Sequence, residues 1–206
     1  MVHYKLTYYA FYGLGEPSRQ LFALANVDFE DHRVRREEWA ALKNSTPFGQ
    51  MPVLEVDGKQ LAQSKAIARY LAHQFGFAGE TLWEQAQVDA WGDQISDYMN
   101  EVLDYFHFKV GYTPGDAEAA YQTQVIPARE RFFPIAVKQL MENGSGFLVG
   151  NKVSWADLFL IYHVETFRNC RPEYVDDYPG ILAHFEKVRA IPELKKWLEK
   201  RPEAQY

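Results

Sequence analysis

Two short stretches of the 206-residue chain carry residue types that can recognise a ligand through backbone groups. In Phe48-Gly49-Gln50-Met51-Pro52-Val53, a proline stands at the entry to a strand. An X–Pro bond adopts the cis form more readily than other peptides, and there it turns the preceding backbone outward. Met51 then offers its N–H and C=O to an extended peptide docking as a short added strand. Gln63-Ser64 follows the next strand, and a helix starting at Ser64 turns free N–H groups and a positive dipole end toward a carboxylate. A small anionic peptide satisfies both features; an ordinary tight turn and an ordinary helix cap account for them equally well. Gly13-Leu14-Gly15 lacks the third glycine and the strand-to-helix context of a dinucleotide loop, and is set aside for that role.

Asp89, Asp93, Asp97 and Glu101 recur every fourth residue, stacking like charges on one helix face at a cost of roughly 0.2–0.5 kcal/mol per pair. A solvated face explains the ladder, as do a subunit interface, a cation or the ammonium group of a ligand. The six histidines, at 3, 32, 73, 107, 163 and 184, show no metal-ligand spacing, so no metal is expected. Nothing around Cys170, the single cysteine, suggests nucleophilic catalysis.

The whole chain narrows the field further. Twenty-two basic against 28 acidic residues give a net charge of −6, the wrong sign for a phosphate-backbone binder, and no nucleic-acid partner is expected. A 47% hydrophobic content with 14 Phe, 13 Tyr and 5 Trp is ample for a packed core. No apolar run approaches the roughly 18 residues that span a bilayer. Met1-Val2-His3-Tyr4-Lys5-Leu6 lacks the apolar segment of a signal peptide, and one cysteine excludes an intrachain disulfide. A soluble protein of the reducing cytoplasm, with no membrane partner, is expected.

The elements that must position these residues fall into two grammars. Residues 1–78 hold 9 basic and 8 acidic groups, a net +1, whereas residues 79–206 hold 13 and 20, a net −7. The shift coincides with the glycine-bearing stretch Phe75–Thr81, so the pattern assigns 1–76 to one domain, 77–81 to a linker and 82–206 to a second domain. In the first, Tyr4–Tyr8 alternates as a strand, Glu16-Pro17 opens a helix whose apolar face is Leu21, Phe22, Leu24 and Ala25, and Phe29–Val34 reads as a second strand. Val53–Val56, Asp57-Gly58 and Lys59–Leu61 form a hairpin signal, and a helix capped by Ser64 runs to about Phe75. The second domain reads as helix throughout. Thr81-Leu82-Trp83-Glu84 and Ser154-Trp155-Ala156-Asp157 fit capping boxes. Val88, Trp91, Ile95, Met99, Val102 and Phe106 predict one long amphipathic helix, and another follows Pro114, bent at Pro127 and Pro134.

These residues together resemble a cytosolic glutathione transferase of the sigma class, which includes the haematopoietic prostaglandin D synthases. The resemblance spans essentially the whole chain and rests on Tyr4–Tyr9, Trp39, Pro47–Gly58, Gln63–Leu71, the Ser154 capping segment and Arg201-Pro202. It implies an α/β, thioredoxin-like N-terminal domain (βαβ-ββα) that holds glutathione, an all-helical C-terminal domain that shapes a hydrophobic substrate pocket, and a homodimer. No cofactor is implied beyond glutathione as co-substrate. Tyr8 matches the catalytic tyrosine whose hydroxyl favours the glutathione thiolate. Trp39 and Lys43 match positions at the glycine end of glutathione, Gln50, Met51 and Pro52 the segment that pairs with its cysteinyl backbone, and Gln63 and Ser64 those that receive the γ-glutamyl carboxylate. Asp97 matches an acid that reaches the γ-glutamyl ammonium from the other subunit, and Phe48 is either a partner contact or a core residue.

The resemblance also implies a second-substrate pocket among Phe11, Leu14, Met99, Phe159 and His163, with Tyr105 or Phe106 beside it, although core packing explains an aromatic helix face equally well. Where prostaglandin synthases carry arginines after the tyrosine, this chain has Tyr12 and Leu14, so a less strongly activated thiol is expected. Asp104 replaces a pocket tryptophan, and Ser96 interrupts a three-aspartate cation site. The expected function is conjugation of glutathione to hydrophobic electrophiles. The alternatives are prostaglandin isomerisation or lipid hydroperoxide reduction, and a non-catalytic ligand-binding or structural protein on the same fold.

Overall fold

The structure is a computed structural model and describes residues 2–204; Met1, with which the N-terminal motif above begins, lies outside them. The chain divides into two compact units, one comprising Met1–Ala78 with Arg189–Tyr206 and the other Gly79–Val188.

In the first unit, strand β1 (Tyr4–Tyr9), helix α1 (Glu16–Ala25) and strand β2 (Glu30–Val34) form a βαβ motif with the strands parallel. A short helix α2 (Trp39–Leu42) follows, then the antiparallel hairpin of β3 (Val53–Val56) and β4 (Lys59–Ala62), and then helix α3 (Ser64–Phe75). The strand order is β2-β1-β3-β4. The hairpin turns as its sequence predicts, with positive φ at Asp57 (48°) and Gly58 (82°). Leu6, Leu54, Leu21, Phe22, Ile67 and Leu71 fill the core between the sheet and α1 and α3.

Helix α1 departs from the expected apolar face. It buries Glu16 through Phe22, including Glu16, Arg19 and Gln20, while Leu24 and Ala25 are only half-buried. The charged groups tolerate this because each has internal partners. The Arg19 guanidinium donates to Asp31 Oδ1 at 3.0 Å and to the carbonyls of Tyr9 and Phe11 at 3.1 and 3.0 Å. Those of Glu16 lie on helix α10 (Pro192–Lys200) and just after it, and α10 packs against α1. The pattern that assigns all of 82–206 to the helical domain is therefore corrected for its last residues, which complete the first unit.

The second unit contains α4 (Leu82–Glu101), α5 (Leu103–Lys109), α6 (Ala117–Ala120), α7 (Ile126–Asn143), α8 (Trp155–Cys170) and α9 (Pro179–Arg189). Both capping boxes form, Thr81 with Glu84 and Ser154 with Asp157. The single helix expected through Phe106 is broken at Val102 (φ −104°, ψ 7°), and Tyr105 is buried while Phe106 is half-buried. Between α6 and α7 one π turn spans Tyr121–Val125. It lies where Pro127, in the first turn of α7, has no N–H to offer the carbonyl four residues back. Helices α4 and α8 approach closely: a Cβ on Gly92 would lie 1.9 Å from the fully buried Trp155 ring. Among the described residues no helix is long and apolar enough to cross a membrane.

Candidate active site

Strand register brings the N-terminal candidates to one edge of the sheet. Thr7 stands opposite Val53, and Val53 opposite Ala62, so Tyr8 near the end of β1, Pro52 just before β3 and Gln63 just after β4 lie at the same end of three adjacent strands. Neighbouring strands lie about 4.8 Å apart, so this edge spans about 10 Å, the length of a tripeptide extended at about 3.3 Å per residue. Polar groups at both ends with a hydroxyl at the corner suit a short peptide.

Tyr8 occupies the corner. Its ring is buried, and its hydroxyl oxygen accepts the Leu14 N–H at 3.0 Å. Burial pushes the hydroxyl pKa up to about 12 against the lowering pull of that N–H and of the Arg19 charge. The group is therefore a neutral phenol near pH 7. With one lone pair engaged by Leu14, its own proton remains available to a thiolate.

Three residues that support Tyr8 escape pattern reading. Gly13 and Gly15 are required by proximity: a Cβ on Gly13 would lie 2.5 Å from the Tyr8 hydroxyl oxygen, and one on Gly15 2.6 Å from its ring. The Gly13-Leu14-Gly15 motif thus has a steric use unrelated to nucleotide binding. The Arg19 guanidinium carbon lies 5.8 Å from the Tyr8 ring centroid, supplying a cation on a chain whose nearby loop carries leucine in place of arginine. Only Glu16 three residues earlier, an ordinary helical ion-pair spacing, hinted at Arg19.

Met51–Pro52 is cis, and Pro52 is buried at the start of β3. Among the described residues neither the N–H nor the C=O of Met51 has a hydrogen-bond partner. Gln63 is exposed and adopts φ 75° and ψ 115°, a sparsely populated conformation for a residue with a side chain. Ser64 does not cap α3 as the sequence suggests. It is the first helical residue, the N-cap position belongs to Gln63, and no side chain caps the helix. Trp39 is half-buried, its ring 6.1 Å from Tyr9, and Lys43 and Gln50 are exposed in the segment between β2 and β3. Phe11 stacks on Tyr9 at 5.1 Å, and Leu14 is 37% exposed.

In the helical unit, Asp97 is exposed on α4, and Glu101 at the end of the ladder pairs with Arg131. Met99 is half-buried. Phe159 and His163 lie inside the packed helical core, each 2% exposed, rather than on an open surface. Phe159 sits edge-on to Trp155 at 5.6 Å. His163 Nε2 bonds the Tyr174 hydroxyl at 2.9 Å, which in turn bonds the Tyr98 hydroxyl. Burial lowers the His163 pKa to about 3. Phe48 is not a core residue of the chain: it is 64% exposed.

A family model described as the glutathione S-transferase N-terminal domain matches residues 4–73, and one described as the C-terminal domain matches residues 97–201. The chain belongs to the glutathione S-transferase family. It is 47% identical over 202 residues to probable glutathione S-transferase 7 of Caenorhabditis elegans, covering 98% of each chain. Among solved structures it is similar to a Nu-class glutathione S-transferase from Haemonchus contortus (50% identity, TM-score 0.93, 100% of both chains). It is also similar to a transferase from the hookworm Necator americanus described as monomeric (47%, TM-score 0.95, 99% and 100% covered). Prostaglandin synthase D of Nilaparvata lugens shares 38% identity at a TM-score of 0.88, with 98% and 100% covered. The fold is that of a glutathione transferase, a thioredoxin-like unit followed by an all-helical one. Transferases of this family use glutathione as co-substrate.

Proposed function

We propose that this glutathione transferase stabilises the bound thiolate with the Tyr8 hydroxyl and directs it onto an electrophilic carbon of a hydrophobic second substrate. The supporting observation is the protonated Tyr8 phenol, with its oxygen held by the Leu14 N–H and its proton available. A free thiol with pKa near 8.5 is only a few per cent ionised at neutral pH, and each unit of depression corresponds to about 1.4 kcal/mol of thiolate stabilisation. A neutral donor supplies this without adding a competing negative charge.

In this reading glutathione lies along the sheet edge. The free backbone groups of Met51, ahead of Pro52, pair with its cysteinyl residue. Gln63 and the uncapped start of α3 at Ser64 receive the γ-glutamyl carboxylate, while Trp39, Lys43 and Gln50 face the glycine end. Phe11 and Leu14 give the second substrate an apolar approach beside Tyr8. We further propose a cytoplasmic homodimer in which Asp97 reaches the partner's γ-glutamyl ammonium and the exposed Phe48 ring is covered by the partner. Sigma-class ancestry is supported by the Tyr4–Tyr9 and Pro47–Gly58 motifs. The Nu-class relative has higher identity than the prostaglandin synthase, 50% against 38%, and makes Nu the competing class. Prostaglandin isomerisation has that synthase in its favour and the differences at Tyr12, Leu14 and Asp104 against it.

The test is the pH titration of bound glutathione by its thiolate absorbance, beside conjugation of a generic aryl halide, in wild type and Tyr8→Phe. The variant is expected to raise the bound thiol pKa and to lower kcat by about 10²-fold, the order for losing one preorganised donor. An unchanged titration and turnover would remove Tyr8 from this role.

A further inference from the structure

We propose that the chain following α10 is a positioning device for the Tyr8 hydroxyl, acting through Tyr12 and Glu16 at the two ends of the turn that carries Leu14. The proposal rests on the Tyr8 reading above, and all its parts lie in the first unit.

The turn is held at both ends by residues far away in sequence. At one end the Arg201 guanidinium carbon lies 3.8 Å from the Tyr12 ring centroid, and the Ala204 N–H donates to the Tyr12 hydroxyl at 3.2 Å. At the other end, Glu16 Oε1 accepts from Arg201 at 2.8 Å and from the Trp197 indole N–H at 2.9 Å. Arg201 therefore touches both ends at once. The turn is closed by the Glu16 N–H donating to the Tyr12 carbonyl at 3.1 Å, and Arg19 reinforces that carbonyl at 3.3 Å. Between these anchors stands Leu14, whose N–H is the donor to Tyr8.

This arrangement matters for the chemistry because Leu14 supplies a backbone group. Its direction is set by the turn, and the turn packs tightly on the Tyr8 ring at Gly13 and Gly15. A Glu16 and an Arg201 with side chains 0% and 5% exposed form a buried ion pair whose geometry is specified by the fold. Loosening either anchor lets the Leu14 N–H swing away, and the Tyr8 hydroxyl loses its orientation while the rest of the peptide-binding edge, along β3 and α3, is untouched.

Arg201→Ala and Tyr12→Phe test this, each made in wild type and in Tyr8→Phe. Tyr12→Phe keeps the ring beneath Arg201 and removes only the hydroxyl that the tail grips, so it decides the matter if Arg201→Ala fails to fold. The measurements are the titration of bound glutathione by its thiolate absorbance, glutathione affinity, and circular dichroism to confirm folding. In wild type, Arg201→Ala is expected to reduce thiol ionisation about threefold, a rise of about 0.5 pKa units, and Tyr12→Phe about twofold, with glutathione affinity essentially preserved. In the Tyr8→Phe background neither is expected to add a shift. Folded variants that titrate as wild type would overturn the proposal, as would equal shifts with and without the Tyr8 hydroxyl, since the tail would then act elsewhere. If Tyr8→Phe alone leaves the thiol pKa unchanged, the Tyr8 reading itself falls; a shift in Tyr8→Phe without one in the tail variants overturns only the tail.

Discussion

The Tyr8 hydroxyl oxygen is engaged by the Leu14 N–H, and in the proposed reading its proton serves the thiolate. Space around it is set by glycine hydrogens, so Gly13→Ala is expected to displace the hydroxyl and lower kcat/KM by about 10²-fold, the penalty of roughly 1 Å of misplacement, in a protein that still folds. Steady-state conjugation with circular dichroism checks this. A second residue-scale prediction concerns His163, which is buried among Tyr98, Tyr174 and Phe167. Its pKa is about 3 folded and near 6.5 unfolded, so between those values the unfolded chain binds the extra proton. The stability contribution of the neutral ring is complete above about pH 6.5 and is lost as pH falls toward 3, at roughly 1.4 kcal/mol per pH unit. Urea denaturation of wild type and His163→Gln at about pH 6 and about pH 4 should show the variant losing less stability by that slope. Tyr8 is legible by resemblance and Met51 and Gln63 by local chemistry, whereas nothing marks Arg19 beyond its ordinary helical spacing from Glu16. A charged residue on a helix reads as solvent-facing until the carbonyls of Tyr9 and Phe11, supplied by the tertiary fold, give it a reason to be buried.

At the scale of elements, the legible features are those whose cause is local. The Asp57-Gly58 turn and the two capping boxes each depend on residues within four positions, and all three form. The π turn at Tyr121–Val125 sits beside Pro127, where the sequence predicts a bend, whereas the break at Val102 leaves no mark in the apolar spacing that runs through it. The approach of α4 to α8 is of this second kind. A Cβ at Gly92 would meet the Trp155 ring at 1.9 Å, so Gly92→Ala, favourable by helix propensity alone, is expected to destabilise by about 1–3 kcal/mol through overpacking. Thermal or urea denaturation decides between the two signs, and a more stable variant would mean that α4 and α8 can separate freely.

At the scale of the molecule, the charge contrast between the halves, net +1 and net −7, does not follow the compact units, because residues 189–206 return to the first. The exposed Phe48 ring is a whole-molecule feature too, since an aromatic side chain 64% exposed in one chain gains from association. Sedimentation of wild type is expected to show a dimer, and Phe48→Ser to shift it toward monomer; a monomeric wild type would remove both Phe48 and Asp97 from the proposed interface. The return of the chain to α1 comes late in synthesis. During synthesis the sheet, α1 and α3 emerge first, yet Glu16 and Tyr12 meet their partners at Trp197, Arg201 and Ala204 only after all of Gly79–Val188 has been made. A nascent chain stalled anywhere before that point carries the sheet edge with Tyr8, Met51 and Gln63 but lacks these contacts on the Tyr12–Glu16 turn.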